Sequence, residues 1–141
     1  MAKRVFLDAN ILFSAAKSDG AVRALLGLLL DRRHECCADA YVVAEARRNL
    51  VNKGPDAVQV LDALLGHLQV ATALAGAADT GELEWLPPKD RPVLAAAIRM
   101  GCDVLVTGDR QHFGRGYGLK FGGVTIHSPS SLAEAVLVSG H

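Results

Sequence analysis

Two short apolar runs that each end on an aspartate constrain this chain more than any other feature. Val5-Phe6-Leu7 closes on Asp8, Leu105-Val106-Thr107-Gly108 closes on Asp109, and each aspartate is followed at once by turn-forming or helix-starting residues. Apolar runs of this length without polar alternation suit strands buried on both faces, as in parallel sheets. Both aspartates are then expected at strand carboxyl ends. In an open α/β sheet that edge binds ligands, above all where neighbouring strands send their chains in opposite directions.

The rest of the chain alternates in the same sense. Strands are expected at residues 3–7, 35–38, 69–73, 104–107 and 124–127, with helices between them at 21–32, 40–53, 56–68, 92–100 and 129–138. The helix at 21–32 is Leu-rich with a period near 3.6, Gly54-Pro55 breaks the next two apart, and Gly101 stops the Ala-rich one. Loop signals remain at 76–84 and 114–123, and no internal repeat or low-complexity tail interrupts the pattern. Such alternation predicts an α/β fold with three layers, α/β/α, around a mostly parallel central sheet with right-handed crossovers.

Composition bounds the reading. At 141 residues the chain can bury one good core, so residues 1–141 are read as a single domain. Half the residues are hydrophobic and few are aromatic, which suits packing by Ala, Leu and Val. The longest apolar stretch, residues 24–30, is far too short to span a bilayer, and no signal-like segment precedes the first strand, so a cytoplasmic protein with no membrane partner is expected. Cys36 and Cys37 are adjacent and Cys102 is isolated, a spacing that suits buried thiols rather than a disulfide framework or a zinc site. Fifteen basic and fifteen acidic side chains cancel, which removes any global field of the nucleic-acid-binding kind. Locally, Arg47, Arg48, Lys89, Arg91 and Arg110 stand within a few residues of acids and form a candidate phosphate-holding rim.

Two further acids join the aspartates as candidates: Glu45, at the border of an apolar helix stripe, and Asp90, just before Arg91-Pro92 at a helix start. Each also has an ordinary structural reading. Asp8 and Asp90 sit where N-caps are expected, Asp109 stands in a turn, and a Glu at a stripe border is commonly solvated. If all four converge, their mutual repulsion demands a cation, and an all-oxygen donor set favours Mg²⁺ or Mn²⁺. Such a centre activates water and stabilises the charge that builds during phosphodiester hydrolysis. The five histidines show no ligand spacing and are expected at the surface or at strand edges, with His112 alone near the candidate site. The Gly-rich stretch 114–123 matches no nucleotide-binding fingerprint, although Arg115, Tyr117, Lys120 and Phe121 could grip a single strand.

The ordered motifs "FLDANILFSA", "VVAEARRNL", "PPKDRPVLAAAI" and "DVLVTGD", spread from about residue 3 to about residue 131, resemble the PIN domain, the nuclease fold of small bacterial VapC-type toxins and their relatives. The resemblance implies that Asp8, Glu45, Asp90 and Asp109 bind Mg²⁺ or Mn²⁺ and are catalytic, with Asn10 and Thr107 as auxiliary polar neighbours. It implies internal cleavage of single-stranded RNA, leaving a 5′-phosphate and a 3′-hydroxyl. It also implies a toxin of a type II toxin-antitoxin system, with a cognate antitoxin protein and a homodimeric state. Many such toxins carry a further acid beyond the fourth, where this chain reads Arg110-Gln111-His112-Phe113, so the resemblance leaves open whether the site holds one ion or two. A haloacid dehalogenase-like phosphohydrolase is the first alternative, disfavoured because Asn10 and Phe113 stand where that class needs acids. A non-catalytic PIN domain that binds RNA or protein is the second.

Overall fold

The computed structural model describes residues 2–73 and 81–139. Within them the chain runs β1 (Arg4–Leu7), α1 (Ala9–Lys17), α2 (Ala21–Asp31), β2 (Glu35–Asp39), α3 (Ala40–Lys53), a 3-10 turn, α4 (Val58–Leu65) and β3 (Gln69–Ala71). It continues through α5 (Arg91–Arg99), β4 (Val104–Val106), α6 (Arg110–Phe113), a second 3-10 turn, β5 (Lys120–Phe121), β6 (Val124–His127) and α7 (Pro129–Ser139). The sheet order is β3-β2-β1-β4-β6-β5, parallel throughout except for the β5–β6 pair. This is the expected α/β fold with a mostly parallel central sheet.

Burial shows why the strand runs carry so little polarity. Val5, Phe6 and Leu7 are all buried, as are Val104, Leu105 and Val106. Successive strand residues point to opposite faces, so both faces of the two central strands are covered, as a three-layer fold requires. Leu12, Leu26, Leu29, Leu50, Leu61 and Leu94 supply the helical side of the core. Cys36, Cys37 and Cys102 are buried free thiols, and burial pushes Cys36 up to about 12. No described helix is long and apolar enough to cross a membrane.

Where structure and expectation part, local signals were short or overruled. Gly54 ends α3, and Pro55 opens a 3-10 turn that delays α4 to Val58. Helix α1 begins at Ala9, directly after Asp8, which caps it. The stretch 114–123, expected as loop, contains β5, which turns into β6 through Gly122-Gly123, both at positive φ (55° and 86°). Two central glycines in that conformation make the tight hairpin whose twist matches its strands. A strand of two residues has no period to read. Of the loop expected at 76–84, residues 76–80 lie outside the described residues.

The topology sets up one crevice. From β1 the chain moves to β2 on one side, whereas β4 lies against the other side of β1. The carboxyl ends of β1 and β4 therefore flank the point where the connections diverge, and they carry Asp8 and Asp109 there.

Candidate metal centre

Asp8 is only 4 % exposed, and both its oxygens are engaged. Its Oδ1 accepts the Ala9 N–H at 2.7 Å, while Oδ2 accepts the Thr107 hydroxyl at 2.7 Å and the Asn10 amide at 3.1 Å. Burial raises the Asp8 pKa to about 6; the Thr107 and Ala9 hydrogen bonds oppose that rise, and the charges of Glu45 and Asp90 add to it. Asn10 and Thr107 lock the two strand ends together. Asn10 accepts the Gly108 N–H at 2.7 Å and donates to Thr107 Oγ1 at 3.2 Å, and Thr107 Oγ1 accepts the Asp109 N–H at 3.1 Å. Tyr117, from the stretch expected as loop, donates its hydroxyl to the Thr107 carbonyl at 2.8 Å.

Asp90 departs from the N-cap expectation. It occupies the cap position of α5, but its backbone is already helical and its side chain makes no cap hydrogen bond. The carboxylate turns inward instead, and its Oδ2 is buried with no hydrogen-bond partner among the described residues. Burial raises its pKa, as does the nearby Asp109 charge, against the opposing effects of His112 and Lys89. The approach to α5 is tied down from two sides. Tyr41 donates its hydroxyl to the Lys89 carbonyl at 2.7 Å, and Arg91 donates to the carbonyls of Leu83, Leu86 and Glu84.

Asp109 caps α6 by accepting the His112 N–H through Oδ1 at 3.1 Å, and its Oδ2 lies 2.8 Å from His112 Nδ1. His112 Nδ1 is also 3.1 Å from Asp90 Oδ2, so this histidine sits inside the acidic group rather than at the surface where its class was expected. Of the other histidines, His141 lies outside the described residues. Glu45 is half-buried on α3, and its carboxylate makes no hydrogen bond or ion pair among the described residues. The four acids line one cleft of about 210 Å³ together with Asn10, Phe13, Asn49, Lys53 and Lys89. Glu45, Asn49 and Lys53 are spaced by four, which puts them on one face of α3.

The basic rim is largely rearranged. Of its five members only Lys89 lines the cleft. Arg47 pairs with Asp62 at 2.9 Å and, with Arg48, borders a separate groove beside Val43, Val51 and Val70. Arg91 is spent on backbone carbonyls, and Arg110 is exposed beside the cleft without lining it. Lys53 is the cation that local spacing missed, because it stands eight residues beyond Glu45. Phe121 stacks on Trp85, with centroids 5.0 Å apart, and Tyr117 is anchored through its hydroxyl.

The donor set fits a divalent cation. Asp8 and Asp90, whose pKa values are raised first by burial and further by neighbouring acid charges, and the Asp90 oxygen that lacks any donor, are stabilised by an ion that supplies the missing positive charge. Asp90, Asp109 and His112 offer ligand atoms that all lie within 4.8 Å of one another.

The family model for the PIN domain matches residues 4–111. The chain belongs to the PIN domain family. That span holds all four acids and removes the haloacid dehalogenase alternative. Solved structures agree on the PIN fold. Rickettsia felis VapBC2, bound to a DNA fragment from its promoter, aligns at 20% identity and a TM-score of 0.65, covering 89% of this chain and 98% of that one. DNA-bound VapBC from Salmonella typhimurium aligns at 19% and 0.63, covering 92% and 99%. Mycobacterium tuberculosis VapC20, described as a sarcin-ricin loop cleaving toxin, aligns at 14% and 0.59, covering 79% and 95%. No curated protein matches the chain.

Proposed function

We propose that this PIN domain is an endoribonuclease that uses Mg²⁺ or Mn²⁺ to hydrolyse phosphodiester bonds of single-stranded RNA, with residues 1–141 acting as one catalytic unit. The observation that carries the reading is the convergence of Asp8, Glu45, Asp90 and Asp109 on one cleft at the sheet's switch point, with Asp90 Oδ2 buried and undonated. Asp8, Glu45, Asp90 and Asp109 would hold the ion, which when bound supplies an activated water and stabilises charge on the phosphate. Asn10 and Thr107 keep Asp8 and Asp109 in fixed relation. Lys53 and Lys89 draw the RNA backbone to the cleft mouth by charge, giving affinity without sequence choice.

Similarity to VapC-containing complexes supports a toxin role with an antitoxin protein as partner. A homodimer is the working form we propose. The purified protein should cut single-stranded RNA with Mg²⁺ or Mn²⁺ and stop in EDTA. Asp8→Asn and Asp109→Asn should each lower the rate by about two orders of magnitude or more, since each removes a charge that holds the ion. Unchanged cleavage in either variant refutes the site. RNA binding without cleavage under every metal condition favours the non-catalytic PIN alternative.

A further inference from the structure

His112 touches two of the acids that line the cleft because α6 is a single turn begun by Asp109, which places residue 112 directly back over its own cap. Its Nδ1 stands 2.8 Å from Asp109 Oδ2 and 3.1 Å from Asp90 Oδ2. One ring nitrogen carries at most one hydrogen, and the Asp109 contact is the one with hydrogen-bond geometry. Asp90 Oδ2 therefore faces the same nitrogen with no donor, buried and unsatisfied. Two atoms bound side by side to one octahedral ion at about 2.1 Å lie about 3 Å apart. The two observed separations match that edge.

We propose, resting on the metal-nuclease reading above, that His112 Nδ1 is a ligand of the cation shared by Asp90 and Asp109, and that it makes this centre select Mn²⁺ over Mg²⁺. The four carboxylates offer only oxygen, which suits both ions. Mg²⁺ is hard, insists on near-ideal octahedral geometry and gives up its waters reluctantly, whereas Mn²⁺ stands on the transition-metal affinity series and accepts imidazole more readily. The resulting centre has mixed nitrogen and oxygen donors. In the absence of the ion Nδ1 carries a hydrogen towards Asp109; as a ligand the ring is neutral with its proton on Nε2, which leaves the Nδ1 lone pair for the cation.

Calorimetric titration with each ion, together with electron spin-echo spectra of the Mn²⁺ form, tests this on the full chain at one fixed pH. Wild type should bind Mn²⁺ more tightly than Mg²⁺ by about tenfold or more and show nitrogen hyperfine coupling. His112→Asn keeps an amide donor towards Asp109 but no ring nitrogen. It should lose the coupling and most of the Mn²⁺ preference, while its Mg²⁺ affinity changes by less than about threefold. His112→Gln should behave alike. Equal coupling and equal preference in wild type and variants overturn the assignment, as does a wild-type Mn²⁺ spectrum without nitrogen coupling. That spectrum decides even where a variant fails to fold. If wild type binds neither ion the whole metal reading falls, whereas binding of both ions without nitrogen removes His112 alone and leaves the acids in place.

Discussion

At the scale of single residues, Asp8 shows how a strand-end carboxylate becomes a sensitive group. It is buried, and its pKa is raised to about 6 against an ordinary value near 3.8. Between those values the folded chain holds a proton that the unfolded chain has released, so stability falls as pH rises from about 4 to about 6 and then stays at the lower level. The full effect of a shift of this size is roughly 3 kcal/mol. Urea unfolding in EDTA at pH 4.5 and pH 7 should show wild type losing stability against Asp8→Asn as pH rises. Parallel profiles would mean that Asp8 is not held in this environment. The cleft cations give a second residue-scale expectation. Lys53→Gln with Lys89→Gln should weaken RNA binding similarly for different sequences and flatten its salt dependence, whereas Arg47→Gln with Arg48→Gln should leave the slope unchanged. The reverse pattern would put the RNA path on the groove beside β3.

Elements matter here by how they aim side chains. Asp90, at the start of α5, is aimed into the cleft by a segment that Tyr41 holds at Lys89 and that Arg91 holds through charged donors to three backbone carbonyls. Arg91→Met should cost about 1–2 kcal/mol in urea unfolding and weaken metal binding as Asp90 loses its aim. Intact metal affinity in that variant would show that the segment holds its shape without Arg91. The β5–β6 hairpin is a second aiming device, since the stretch before it carries Tyr117 to the Thr107 carbonyl. Gly122 has φ of +55°, and an added Cβ would come within 2.9 Å of Ile98 Cδ1. Gly122→Ala is therefore expected to destabilise by roughly 1–2 kcal/mol. Gly116 lies still closer to its neighbour, 2.5 Å from Trp85 Cη2 by the same measure, so the aromatic cluster of Trp85, Phe113 and Phe121 is built around the missing side chain.

For the whole molecule, the proposed metal site is expected to set function against stability. The cleft concentrates carboxylates that the fold alone does not neutralise, and Asp90 Oδ2 is the clearest instance. Asp90→Asn should raise the melting temperature in EDTA while removing most of the stabilisation that Mn²⁺ or Mg²⁺ gives wild type, which at a hundred times Kd is about 2.7 kcal/mol. A fall in the EDTA melting temperature, with metal stabilisation retained, would mean that the acids do not share an ion.

Much of this was legible in the chain itself. Arg4–Leu7 and Val104–Val106 read as buried strands because burial on both faces demands uninterrupted apolar residues, and chain direction then placed Asp8 and Asp109 at one sheet edge. Glu45 and Asp90 were named through their motifs, but nothing local to either residue distinguishes a cleft-facing carboxylate from a solvated or capping one. Tertiary structure decided that. It turned Asp90 away from its cap, drew His112 in through a one-turn helix too short to have a period, and assigned Arg47 and Arg91 to partners outside the cleft. The physical reason is one of range. Hydrophobic periodicity acts along the backbone and determines where strands and helices begin and end, whereas the aim of a long or polar side chain depends on donors and acceptors brought near it from distant parts of the chain.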